Sequence, residues 1–166
     1  MAEAAAESSL WAEAALAACD QRRDAVFSVL CEPRFALGVE TIYEGYLLHF
    51  GRPRLFAPGD ADTALLLGDY LYAHGLVRIA ATGSVAAVHD LAELISLCAQ
   101  ARAEGTDSDW AAWAATAALL GEGALDGPRA LLRELGDPGA LELAARDAVG
   151  DHPVERARAA HDLHVG

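Results

Sequence analysis

Residues 40–80 read ETIYEGYLLHFGRPRLFAPGDADTALLLGDYLYAHGLVRIA, and the fold turns on how this stretch divides. Apolar side chains recur at helical spacing up to His49, and then Gly51, Pro53, Pro58 and Gly59 break the pattern. A second helix is predicted from Asp62 or Thr63 to about Ala81. Its Leu65, Leu66, Leu67, Tyr70, Leu71, Leu76 and Val77 lie on nearly every side, which marks a helix enclosed by others. Gly68 and Asp69 sit inside it although both cost helix propensity, so each needs a compensating contact. Gly68 suits the close approach of a neighbouring helix. Asp69 suits a hydrogen bond from that helix or from an arginine. The preceding helix carries Glu40 and Glu44, one turn apart on a single face. They are either one wall of a cation site or two solvated carboxylates.

On the N-terminal side, Leu10, Trp11, Ala14, Ala18, Val26, Phe27 and Leu30 predict one helix from Ser8 to about Leu30, capped by Ser8 or Ser9. Pro33 suits the first turn of the helix that reaches His49. Downstream, Ser84 caps a helix striped by Val88, Leu91, Ile95 and Cys98, with Asp90, Glu93 and Arg102 outside the stripe. Asp107 or Ser108 can cap the next helix, where Trp110 and Trp113 share a face that is core or a partner surface. Pro128 opens a helix ended by Gly136, and Pro138 opens another ended by Gly150. Alternating strand patterns are absent. The prediction is an all-α protein, with a helical domain of about seven helices over residues 1–150 and a polar tail at 151–166 that is frayed or forms a short helix. His152, His161, Asp162 and His164 carry metal-ligand spacing, but a mobile tail is the better account of them. His74 and His89 read as satisfied core or boundary residues.

The composition, 54% hydrophobic and 22% charged over 166 residues, is that of a globular chain able to bury a core. A formal charge of −13 argues against nucleic acid and anionic membrane surfaces as partners. All 12 basic residues are arginine, which together with the abundant alanine reflects coding bias more than function. Cys19, Cys31 and Cys98 lack paired-thiol spacing, so reduced thiols are expected. The first residues lack the basic start of a signal peptide, and no apolar run is long enough for a transmembrane helix. A soluble, cytoplasmic protein is the expectation.

The stretch from Leu37 to Gly105 resembles the trans-prenyl diphosphate synthases, all-α enzymes that condense isopentenyl diphosphate onto allylic diphosphates. In that family an aspartate motif, D-D-x-x-D, is followed by a basic pair, a Gly-basic-Pro turn, and a helix bearing Gly-Asp-Tyr. Here Gly51, Arg52 and Pro53 form the turn, and Gly68, Asp69 and Tyr70 follow seventeen positions later. In that register the aspartate motif falls on Glu40 to Glu44, and the basic pair on His49 and Phe50. The resemblance implies the first half of the synthase fold, with Glu40 and Glu44 as candidate magnesium ligands and Arg52 and Arg54 as candidate diphosphate contacts. Gly51, Pro53, Gly68, Asp69 and Tyr70 are implied as fold-defining positions. Nothing after Gly105 reads D-D-x-x-D, so a second metal-binding wall is missing and no cofactor beyond possible magnesium is implied. By that analogy the chain most resembles a non-catalytic small subunit, which would pair with a larger catalytic prenyl diphosphate synthase subunit and influence product length. A minimal prenyltransferase or isoprenoid-diphosphate-binding protein, and a helical homodimer with no isoprenoid role, are the alternatives.

Overall fold

Tertiary contacts overrule helix propensity at the start of the chain. The computed structural model describes residues 9–106 and 108–165, so Ser8 and Asp107 as possible caps lie outside it. The N-terminal helix expected to reach Leu30 is only α1 (Ser9–Ala14). The chain then runs beside the connector after α2: Leu16 N donates to Leu55 O at 2.9 Å, Ala57 N to Ala14 O at 2.7 Å, and Arg22 N to Arg54 O at 3.0 Å. Val26 and Phe27 enter the core at 1% and 0% exposure, ahead of a 3-10 turn at Ser28–Leu30. The Glu40 carboxylate accepts from Val26 N at 2.9 Å and from Ser28 N at 3.0 Å. Those amides therefore find their partners across the fold rather than along a helix.

The remaining elements are α2 (Ala36–Phe50), α3 (Ala61–Ala80), α4 (Val85–Glu104), α5 (Asp109–Ala118), α6 (Asp126–Leu135), α7 (Gly139–Val149) and α8 (Asp151–Val165). The described residues thus contain eight α-helices and no strand, the Ala15–Phe56 pair being an isolated bridge. Local chemistry explains most boundaries. The Asp60 side chain accepts from Thr63 N at 2.8 Å to start α3, and Ser84 accepts from Ala87 N at 3.2 Å to start α4. Gly105 and Gly136 end α4 and α6 at φ 71° and 67°, where a side chain would be strained. Pro33 lies in a turn before α2 rather than within its first turn.

The enclosed helix is α5, not α3. Every residue from Asp109 to Ala117 is buried. Its alanines let neighbours come close, while Trp110 and Trp113 fill the gaps between them, so the tryptophan pair is core. α3 is one-sided instead: Leu67, Gly68, Leu71, Gly75 and Ile79 are buried, while Leu65, Leu66 and Val77 are more than half exposed. Leu67→Ala is expected to cost about 2–5 kcal/mol in a denaturant titration, because Leu67 is fully buried in a satellite cluster with Ala14, Leu48, Phe56 and Leu71.

The α2–α3 contact is built from glycine. Gly38 and Gly45 on α2 face Gly75 and Gly68 on α3 in antiparallel register, each pair of glycines seven residues apart in its own helix. A Cβ on Gly45 would lie 2.9 Å from the Gly68 carbonyl oxygen, and one on Gly75 would lie 3.0 Å from the Gly38 carbonyl oxygen. A Cβ on Gly68 would lie 2.5 Å from His49 Nε2. The expected close approach at Gly68 is therefore present, and three further glycines share it. Asp69 is solvent-facing, with Oδ1 3.2 Å from His49 Nε2 on α2. Tyr70 stacks between Trp11 and His74 at ring distances of 5.4 Å to each.

Residues 151–165 take the helical alternative rather than a frayed tail, and they are packed. They form α8, which buries Val154, Ala157, His161 and His164. Their spacing is a helical stripe, half of it histidine. Asp90 also differs from its expected place outside the α4 stripe, since it is 2% exposed and paired with Arg129 at 2.8 Å. Among the described residues no helix is long and apolar enough to cross a membrane.

Candidate functional site

The face of α2 that carries Glu40 and Glu44 is covered by the connector, because Pro53 directs Arg54 back against it. Arg54 is 4% exposed. Its Nη1 lies 2.8 Å from Glu40 Oε2, and its Nε donates to Glu44 Oε2 at 3.1 Å. Glu44 Oε1 also accepts from Arg54 N at 2.8 Å and Leu55 N at 2.7 Å. Arg54 Nη1 donates to Asp24 O at 2.8 Å, and the guanidinium lies over the Tyr43 ring. Burial pushes the Glu44 carboxyl up from its ordinary value, while Arg54 and these N–H donors pull it down. For Arg54, burial works against the charge, but Glu40 and Glu44 outweigh it and hold the guanidinium protonated.

The two glutamates are thus neither solvated side chains nor an open magnesium wall. A cation of the chain itself, Arg54, occupies the space between them, and their remaining oxygens accept backbone N–H groups, so the pair as folded does not fit a magnesium ion. Among the described residues no three His, Cys, Asp or Glu side chains come together as a metal cage. His161 and His164 are buried on α8, whereas His152 and Asp162 are exposed. As a diphosphate contact, Arg54 is committed to Glu40 and Glu44. Arg52 is exposed beside it, its backbone N donating to His164 O at 2.8 Å. Gly51 makes room for this: a Cβ there would lie 2.8 Å from the His164 carbonyl oxygen.

A second buried polar cluster joins α2, α4, α5 and α8. Tyr46 donates to Asp109, and Arg102 reaches Asp109 Oδ2 at 2.6 Å and Tyr46 Oη at 2.7 Å. Tyr43 Oη lies 3.0 Å from His161 Nδ1, whose other nitrogen is 3.8 Å from Asp109 Oδ1, an ion-pair distance. Phe27 and Trp113 stack on each other beside this group, ring centroids 5.4 Å apart, and both meet the Tyr43 ring edge-on. Burial works to raise the Asp109 carboxyl, but His161, Tyr46 and Arg102 outweigh it and hold it below its ordinary 3.8. The folded state therefore binds fewer protons there than the unfolded chain. The stabilisation is present above about pH 4 and is lost as pH falls through the lower folded value. Asp109→Asn is expected to flatten that acid limb in pH-dependent thermal melts, relative to the parent chain.

The thiols separate by environment. Burial first, then Glu40, pushes Cys31 up to about 11, and burial pushes Cys98 well above its ordinary range. Cys19 is exposed, and all three are free. A maleimide at about pH 8 is expected to modify Cys19 quickly and the other two only on unfolding, as mass spectrometry would resolve.

Two adjoining clefts flank Arg54. One, of about 400 Å³, lies between the 15–25 segment, the start of α2 and the connector. The other, of about 280 Å³, lies between Arg22, Arg52 and the end of α8. Sequence reasoning missed the role of residues 15–25 here, because a helix was expected across them. The pairing of Arg54 with Glu44 carried a usable signal, an arginine directly after a proline that reverses the chain onto the preceding helix.

Comparison with known protein families, curated proteins and solved structures finds no match.

Proposed function

We propose that this chain is a non-catalytic helical subunit of the prenyl diphosphate synthase kind, acting by packing against another chain. The observation that carries the reading is Arg54, which sits between the carboxylates that such an enzyme needs open for metal-bound diphosphate. The outer face of α3 supports it further: Leu66 and Val77 lie three turns apart on one side, 57% and 66% exposed. A larger catalytic synthase subunit is the favoured partner, and a second copy of this chain is the alternative that the same face would serve. The cytoplasm, where isoprenoid diphosphates and reduced thiols coexist, is the matching compartment.

The purified chain is expected to form no product from farnesyl diphosphate, labelled isopentenyl diphosphate and magnesium ion. Product formation that disappears in Glu40→Gln would overturn the non-catalytic reading. In sedimentation, the chain alone or with a full-length synthase from the same source is expected to associate. Leu66→Glu with Val77→Glu should abolish that association without changing the melting temperature. A monomer in both mixtures at micromolar concentration would remove the partner role.

A further inference from the structure

The two clefts beside Arg54 differ in chemistry and share their dividing wall, since Arg22 and Arg54 line both. The larger is walled mainly by Ala15, Ala25, Leu37, Leu55 and Phe56, with Glu40 and Thr41 on α2 and Arg23 at its edge. The smaller is polar, lined by Arg22, Arg52, Arg54 and His164, with Asp20 as its carboxylate. Glu40 does not make the larger cleft anionic in effect, because its oxygens are engaged by Arg54, Val26 N and Ser28 N. In a chain of formal charge −13, the smaller cleft still sets Arg22 and Arg52 against the single carboxylate of Asp20, Arg54 being paired with Glu40 and Glu44.

We infer that the paired clefts form one binding site for an amphipathic anion, with its alkyl chain in the apolar cleft and its carboxylate or phosphate head between Arg22, Arg52 and His164. The volume of the apolar cleft is in the range that ligand cavities occupy. Guanidinium groups suit both head groups, because their planar N–H forks match paired anionic oxygens. His164 reports the field at the head position: burial first, then Arg54, Arg22, His161 and Arg52, hold its pKa below 6.5. An anion seated there cancels part of that field. The site is separate from the exposed face of α3 and stands whether or not the chain is a synthase subunit.

Calorimetric titration of the full chain with decyl phosphate, decanoate, decanol and inorganic phosphate tests the inference. Decyl phosphate or decanoate is expected to bind at least ~10-fold more tightly than decanol or inorganic phosphate, and the tighter of the two names the head group. Arg22→Glu should weaken that ligand by ~10-fold or more through the head, and Ala25→Trp by a similar factor by filling the apolar cleft. Both positions are exposed, so unchanged melting temperatures are expected. The His164 ring resonances should titrate at higher pH in the complex than in the free chain. Equal affinity for decanol and decyl phosphate, no binding of either anion, or either folded variant binding as the parent does, would overturn it.

Discussion

Arg54→Met is expected to lower the unfolding free energy by about 3–5 kcal/mol, because it strands a charged carboxylate inside the protein. Glu44 is 0% exposed and would keep only the amides of residues 54 and 55 as partners. Glu40 would lose its 2.8 Å ion pair but is one-fifth exposed and keeps two backbone donors, so it contributes less of the loss. Replacing Glu44 as well, as Glu44→Gln with Arg54→Met, removes the stranded charge and should recover part of the stability. The recovery measured in urea titrations of the two single variants and the double variant is the coupling between the residues. If the double variant lost the sum of the single losses, the pair would not be acting as a unit. The pair also fastens the 15–25 segment, since Arg54 O holds Arg22 N and Arg54 Nη1 holds Asp24 O. Arg54→Met should therefore raise amide exchange at Arg22 more than at residues within α5.

Gly45→Leu is expected to cost roughly 3 kcal/mol or more, the upper end for adding volume to a tight contact. The first added carbon alone would lie 2.9 Å from the Gly68 carbonyl oxygen and 3.0 Å from Tyr72 Cδ1. A backbone oxygen in the middle of α3 cannot move aside without the helix moving. Gly38 is as tightly placed, since its added carbon would meet the buried Ile79 side chain, Cδ1 at 2.5 Å and Cγ1 at 2.7 Å, whose β-branch leaves few rotamers in a helix. Gly38→Ala should therefore also be costly. Gly59→Ala, with no atom within 4 Å of the new carbon, should leave the denaturation midpoint nearly unchanged. If all these variants behaved alike, the two helices would not be in the close contact described.

Much of α3 and α4 was legible because their ends are local chemistry. Asp60 and Ser84 cap their own helices with side-chain oxygens. Legibility failed where a residue's partner lies far along the chain. Val26 and Phe27 keep helical spacing with Leu30, yet Glu40, fourteen residues after Val26, takes its amide. The packing of α8 was missed because its buried stripe includes His161 and His164, which look polar until Tyr43, Asp109 and the arginines surround them. The exposure of Leu65, Leu66 and Val77 was hidden for the opposite reason, since apolar residues on every side read as enclosure.

By itself the sequence determined an all-helical chain, the breaks between α2, α3 and α4, and the presence of a glycine contact at Gly68. These follow from periodicity, turn chemistry and the absence of a side chain, all of which act over a few residues. Only the tertiary structure decided that α5 is the centre, that α8 is packed, and that Glu40 and Glu44 hold Arg54. Burial and charge pairing depend on which distant groups arrive together. The same two glutamates at the same spacing would be solvated on an open helix face, and become an internal ion pair only because the chain after Pro53 folds back over them.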